Sequence, residues 1–137
     1  VKTPNRGTDK SAGIDFFVPN DFEEITLSPG ESVCVPSGIK ANVPEGFALI
    51  VFNKSGVALK KNLSVGACVI DEDYQGEIHL HVYNFGKGLE NISPGEKLVQ
   101  MILVPVFYDT IEEVELSSLF PEETSRGEGG FGSTGVI

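Results

Sequence analysis

The chain has 137 residues, 20 of them acidic and 10 basic, and its formal charge of −10 excludes a polyanion such as DNA or RNA as the expected partner. Two cysteines are too few for a disulfide framework and no apolar run is long enough to cross a membrane, which predicts a cytoplasmic protein, or one of the host cytoplasm if the source is viral. Both Cys34 and Cys68 are expected to be buried as small apolar side chains.

Turn signals such as Ser28-Pro29-Gly30 and Ser93-Pro94-Gly95 recur roughly every ten residues, with β-branched or aromatic runs between them. This spacing predicts an all-β fold, an antiparallel barrel or sandwich of the jelly-roll type. The predicted strands, in chain order, are 14–18, 32–35, 39–41, 47–52, 65–70, 77–83 and 97–107. A Pro-Ser-Gly turn is predicted at 36–38, between two of them.

One short helix is predicted at residues 55–62, with Ser55 as its N-cap and two lysines in its last turn. The composition changes after Pro121, because the following residues are polar and then rich in glycine. Such a segment cannot build a core by itself. We therefore expect a β-barrel core at 1–121 and a flexible C-terminal arm at 122–137.

The arm carries the run Arg-Gly-Glu-Gly-Gly-Phe-Gly-Ser-Thr-Gly at 126–135. Glycine lets successive backbone amides converge on an anion, and Arg126, Ser133 and Thr134 add further donors, which indicates a phosphate clamp. Phe131 is an aromatic side chain among glycines and could stack on a base. The alternative is a disordered glycine-rich tail.

A second candidate is the acidic connection between two apolar strands that begins at Asp71 and includes Tyr74. Carboxylates close together in a hairpin can orient a water or a metal ion, whereas the alternative is a solvated acidic turn.

A third candidate, Asn53-Lys54-Ser55-Gly56, lies where a buried strand passes into the predicted helix. Helix N-termini bind phosphate, but simple N-capping explains Ser55 equally well.

His79 and His81 are predicted to face the same side of their strand, opposite Ile78, Leu80 and Val82. They could form a metal pair, but no third histidine or cysteine lies nearby in sequence. A polar or subunit-facing surface is the preferred interpretation.

Read together, five separated motifs resemble the trimeric dUTPase family over nearly the whole chain. They are Ala12-Gly13-Ile14-Asp15, Lys54-Ser55-Gly56, Val69-Ile70-Asp71-Glu72-Asp73-Tyr74-Gln75-Gly76-Glu77 followed by Asn84, Gly95-Glu96-Lys97-Leu98-Val99-Gln100, and the run from Arg126 to Gly135. Lys54 and Lys97 replace arginines of the family pattern, and Cys68 replaces a glycine.

The resemblance implies a dUTP diphosphatase that forms dUMP and pyrophosphate, with Asp71 holding the attacking water and Tyr74 packing on the deoxyribose. It implies Mg²⁺ held chiefly by the phosphates and water, with no direct protein ligand and with Asp15 structural or in an outer shell. It also implies a homotrimer with shared sites, in which each arm closes over a neighbour's pocket. The implied substrate-binding residues are Lys54, Ser55, Gly56, Gly66, Cys68, Val69, Tyr74, Gln100, Arg126, Phe131, Gly132, Ser133 and Thr134.

Two other functions are alternatives to this one. A dCTP deaminase would share the fold and the phosphate chemistry, but we expect it to lack the Asp71-to-Tyr74 arrangement and the Phe131 lid. A nucleotide-responsive interaction protein would use dUTP binding to switch contact with a regulatory protein partner. Such regulation could coexist with catalysis, but the sequence offers no support for the partner.

Overall fold

In the computed structural model, which describes residues 1–137, every strand and the one α-helix lie in the unit Val1–Phe107. The strands are β1 (Ile14–Phe17), β2 (Ile25–Leu27), β3 (Ser32–Ile39), β4 (Phe47–Phe52), β5 (Leu63–Val65), β6 (Val69–Ile70), β7 (Ile78–Asn84), β8 (Glu90–Ile92) and β9 (Lys97–Pro105). The helix α1 (Ser55–Lys61) joins β4 to β5. A second compact unit, Tyr108–Ile137, contains one 3₁₀ turn at Leu116–Ser118.

The strands form three antiparallel sheets with the orders β1-β9-β4-β6, β2-β8 and β3-β7-β5. Their inner faces enclose an apolar core in which Val35, Leu80, Ile92, Val99 and Met101 are fully buried. The prediction of an antiparallel, jelly-roll-like all-β fold with one short helix is confirmed. No helix combines the length and the hydropathy that a membrane crossing requires.

Strong alternation made β7 easy to predict, since Ile78, Leu80 and Val82 are buried while His79 is exposed and His81 is half-buried on the opposite face. Both histidines therefore face the same side, as predicted. The same alternation shows why the prediction for Cys34 is wrong. It lies on the outer face of β3 next to buried Val35 and is exposed, and Cys68 is exposed in a hairpin.

Two predicted divisions of the chain into strands are wrong because tertiary contacts override the local signal, and the last predicted strand, 97–107, ends at Pro105. Pro36-Ser37-Gly38 forms no turn between strands but a bulge inside β3, where the register against β7 shifts between Pro36 and Ile39. Buried Ser37 donates its hydroxyl to the carbonyl of Ile78, 2.5 Å away, which holds the bulge on β7. The predicted strand 65–70 is two strands, β5 and β6, separated by residues 66–68.

The N-cap of the helix lies one residue earlier than predicted. Lys54 is the N-cap, with extended backbone and no side-chain capping bond, so Ser55 is the first helical residue and the prediction that it caps the helix is wrong. At the other end Asn62 adopts a left-handed conformation (φ 51°), and Lys61 pairs with Glu96 at 3.0 Å. This pair fixes α1 to the loop that precedes β9.

Candidate active site

A cavity of about 160 Å³ opens beside the hairpin at residues 66–68. It brings together four of the predicted site residues, Cys68, Val69, Asp71 and Tyr74. Ala67, which lies within the predicted hairpin 66–69, also lines it, and the other lining residues are Val51, Ile70, Glu77, Ile78 and His79. The lining is thus mainly apolar, with two carboxylates and no lysine or arginine. Such a cavity suits a flat, uncharged ring with a few polar edges.

The hairpin that borders this cavity is fixed on both sides by backbone hydrogen bonds. Gly66 N–H donates to the carbonyl of His81 on β7 at 2.9 Å, and Val51 N–H on β4 donates to the carbonyl of Cys68 at 2.8 Å. Any side chain at Gly66 would collide with His81, because a Cβ there would lie 2.1 Å from Nδ1. The backbone around predicted Gly66 therefore lies directly against β7.

Tyr74 is oriented by its own hydroxyl. The hydroxyl donates to the carbonyl of Glu77 at 2.7 Å, and a Cβ at Gly76 would lie 2.4 Å from the Tyr74 hydroxyl oxygen. The ring is therefore held at the cavity, where 43% of the residue remains exposed. An aromatic face in this position can pack against a sugar ring.

Asp71 lies at the start of the turn that leads to Tyr74, whose N–H donates to the Asp71 carbonyl at 3.2 Å. Its carboxylate is exposed at the cavity and forms no salt bridge. The neighbouring Glu72 instead accepts a hydrogen bond from Gly46 N–H at 3.1 Å. Within the acidic connection, the Glu72 carboxylate therefore has a structural hydrogen bond, whereas the Asp71 carboxylate is available to a water molecule.

A second cluster surrounds Asp15 on β1. The side chain of Asp15 is buried and pairs with Lys54 through one oxygen and with Lys97, 3.4 Å away, through the other. Burial by itself would raise the pKa of this carboxyl, but the hydrogen bond and charge of Lys54, followed by those of Lys97, outweigh it and lower the pKa. Three of the five motifs thus meet at one carboxylate.

Gln100 belongs to the same region and is held by Asn53. Its side-chain amide donates to the carbonyl of Asn53 at 2.8 Å, and a Cβ at Gly13 would lie 2.0 Å from its Oε1. The Asn53 side chain accepts from Val65 N–H at 2.8 Å and donates to the hydroxyl of Ser64 at 3.2 Å. Asn53 therefore positions Gln100 and the start of α1, a role for which the sequence gives only its place beside Lys54 as a signal.

No group of three or more His, Cys, Asp or Glu side chains could hold a metal ion. The imidazoles of His79 and His81 are engaged elsewhere, since His79 Nδ1 lies 3.1 Å from the Glu77 carbonyl and His81 Nδ1 accepts a bond from Ala67 N–H. Because both Asp15 oxygens face lysines, that carboxylate fits a structural or outer-shell role.

The predicted arm residues lie in the unit Tyr108–Ile137. Arg126 donates from Nε to the carbonyl of Gly129 at 2.8 Å, which closes a local loop. Further turns follow, with Ser133 N–H bonded to the Gly130 carbonyl at 3.1 Å. Phe131 is fully exposed and has a positive φ of 50°, so its ring is presented to solvent by a backbone that glycine neighbours make possible.

Comparison with known proteins gives one consistent result. The family model described as dUTPase matches residues 1–135. The deoxyuridine 5'-triphosphate nucleotidohydrolase of Mus musculus is 40% identical over 132 residues, which cover 96% of this chain and 77% of the mouse protein. The enzyme of that name from Chlamydia pneumoniae is 42% identical over 135 residues, covering 97% and 90%. The dUTPase of Staphylococcus bacteriophage 80alpha, solved with dUPNHPP, aligns with a TM-score of 0.86 and 26% identity over 99% of this chain and 93% of the phage chain.

Proposed function

The chain belongs to the dUTPase family and is a hydrolase of dUTP, and we propose that it works by in-line attack of a water molecule on the α-phosphorus, with Asp71 as the general base. The observation that carries this proposal is the Asp71 carboxylate, which is exposed at the cavity and paired with no cation. A carboxylate in that state can accept a proton from water. No covalent intermediate with the protein is needed.

The cavity beside the hairpin is the proposed site of the uracil. Backbone groups of residues 66–69 pair with the edge of the base, so that cytosine leaves polar groups mismatched and the methyl group of thymine clashes with a fitted wall. Cys68 and Val69 lie on this hairpin and line the cavity, which supports the assignment. Tyr74 packs on the deoxyribose and disfavours a 2′-hydroxyl.

The triphosphate requires cations and donors that the cavity lining does not contain. We assign this role to Lys54, Ser55, Gly56 and Gln100, and to the arm residues Arg126, Gly132, Ser133 and Thr134. Phe131 of the arm is assigned to cover the base. Mg²⁺, when bound, offsets the charge that develops on the leaving pyrophosphate, and it would be held mainly by substrate phosphates and water.

We assign a homotrimer in which neighbouring copies complete each site. The cavity lining has two carboxylates and no lysine or arginine, so the cationic groups that hold the triphosphate must come from outside the lining, and a neighbouring copy is one source of them. In this assembly, residues 122–137 of one subunit close over the pocket of another. The enzyme would supply dUMP and limit the incorporation of uracil into DNA.

Pyrophosphate release from dUTP, dTTP, dCTP and UTP, measured with and without Mg²⁺, tests the reaction, base, sugar and metal together. We expect rapid release from dUTP alone, dependent on Mg²⁺. Equal release from all four nucleotides would contradict the assigned base and sugar recognition, and ammonia release from dCTP would establish a deaminase instead. Sedimentation of the same sample tests the trimer, which a monomeric active enzyme would exclude.

A further inference from the structure

His81 lies on β7 next to the hairpin and contacts it twice. Ala67 N–H donates to its ring nitrogen Nδ1 at 2.8 Å, and Gly66 N–H donates to its backbone carbonyl at 2.9 Å. One residue therefore satisfies two successive hairpin amides. His81 does not itself line the cavity, whereas Ala67, Cys68 and Val69 do.

The ring must be in a single chemical form to make the first of these bonds. A neutral imidazole has one nitrogen that donates and one that accepts, whereas a protonated imidazole has two donors. Because Nδ1 accepts from Ala67, the proton of the neutral ring lies on Nε2. The bond thus requires the neutral ring in one tautomer.

The ring also sets how far the hairpin stands from β7. A Cβ built on Gly66 would lie 2.1 Å from Nδ1 and 2.3 Å from Cε1 of His81, so the hairpin backbone rests on the imidazole. On its other side, the hairpin is joined to β4 by the bond from Val51 N–H to the Cys68 carbonyl at 2.8 Å. Removing the imidazole would leave the Ala67 amide without its acceptor, while the bonds from Gly66 N–H to the His81 carbonyl and from Val51 N–H to the Cys68 carbonyl would remain.

We propose that His81 is a positioning residue for base recognition, which holds the hairpin amides in the register that pairs with uracil. This inference rests on the proposed function, in which the hairpin backbone reads the base. Because His81 contacts the hairpin assigned to the base and none of the residues assigned to the triphosphate, it would act on the bound base in the ground state and the transition state alike. Its loss therefore raises KM and leaves kcat nearly unchanged.

Two variants of similar size separate the acceptor from mere bulk. Asn has an oxygen attached to its γ-carbon, at the position that Nδ1 occupies on the histidine ring, whereas Leu has a methyl group there. We expect His81→Leu to raise the KM for dUTP by about three- to tenfold, the effect of one lost hydrogen bond, with kcat changed less than about twofold. His81→Asn is expected to restore KM to within about twofold of the wild-type value.

Cys34→Ser is the matched control. Cys34 is the cross-strand partner of His81 in the β3–β7 register and is exposed, but no bond joins it to the hairpin. Wild-type kinetics are expected. His81→Val provides a second variant without an acceptor, suited to a strand, if thermal melting shows that His81→Leu does not fold.

Hydrogen exchange at the Ala67 amide gives a readout that does not depend on turnover. Protection should be lost in His81→Leu and kept in His81→Asn. A loss of protection with unchanged KM would overturn the positioning role while leaving the proposed function intact, and so would an equal rise in KM in both variants. Failure of the wild type to release pyrophosphate from dUTP would overturn the proposed function, and the base-positioning role with it.

Discussion

Asp15 and Asp71 are the same residue type in opposite surroundings. Asp15 is buried between two lysines, which lower the pKa of its carboxyl and use both of its oxygens. Asp71 is exposed at an apolar cavity and pairs with no cation. A carboxylate in a sequence motif therefore cannot be assigned a chemical role until its partners are known. We therefore assign Asp15 a structural role and propose Asp71 for the chemistry.

Exchanging Asp71 for Asn should have the largest effect on turnover. The amide cannot accept the proton of the attacking water, so kcat should fall by about 10²–10⁴-fold. Affinity for a non-hydrolysable dUTP analogue and the melting temperature should stay near the wild-type values. Steady-state kinetics measures kcat, isothermal titration calorimetry the affinity, and thermal melting the stability. Near-normal kcat would remove Asp71 from the mechanism.

Truncation after Thr124 leaves both aspartates in place and removes the glycine-rich run. If the arm positions the triphosphate and excludes solvent, kcat/KM should fall by about 10²-fold or more, with no change in thermal stability. Pyrophosphate release and differential scanning calorimetry test this. Full activity of the truncated protein would show that Asp71 works without the arm.

Asp15→Asn should act on stability rather than directly on chemistry. It leaves Lys54 and Lys97 facing each other without a counter-charge, and because both lysines are partly exposed we expect a loss of about 1–3 kcal/mol in the free energy of unfolding. Asp21→Asn is the control, since Asp21 is exposed and forms no salt bridge. Urea denaturation measures both, and equal stability of the two variants would contradict the structural role.

The smallest expected effect is the pH dependence of the difference in unfolding free energy between the wild type and Asp15→Asn. The folded-state pKa of Asp15 is lowered from its ordinary value of 3.8, so its contribution is fully present above that value and disappears as the pH falls through the lower, folded-state pKa. The stability gap between wild type and Asp15→Asn should therefore narrow below about pH 4. Urea denaturation repeated between pH 3 and pH 6 would show it, and a gap that widens on acidification would contradict the ion pairs.

The sequence predicted the parts of the fold that have strong local signals. Both ends of β4 were correct, and the alternation in β7 identified its buried face. β2 and β8 were missed because each has three residues and is defined by its partner, with Thr26 donating to Asn91, 65 positions away. Strands this short, paired over such a distance, show no alternation of apolar and polar residues that the sequence could reveal.

The candidate site was predictable where residue type alone indicates chemistry, as at Asp71 and Tyr74. The supporting residues were not, because their roles arise from packing. Asn53 could be read only as a strand-end residue, and His81 only as half of an outward-facing pair, although each bonds a neighbouring segment. Likewise, Cys68 was expected to be buried but is exposed, because it lies on the hairpin that is hydrogen-bonded to β4 and β7.

The most direct test is a crystal structure of the protein with Mg²⁺ and an α,β-imido analogue of dUTP. We predict one ordered water within hydrogen-bonding distance of an Asp71 carboxylate oxygen, in line with the bond between the α-phosphorus and the bridging nitrogen. A water held there by a different side chain, with Asp71 turned away from it, would contradict the account.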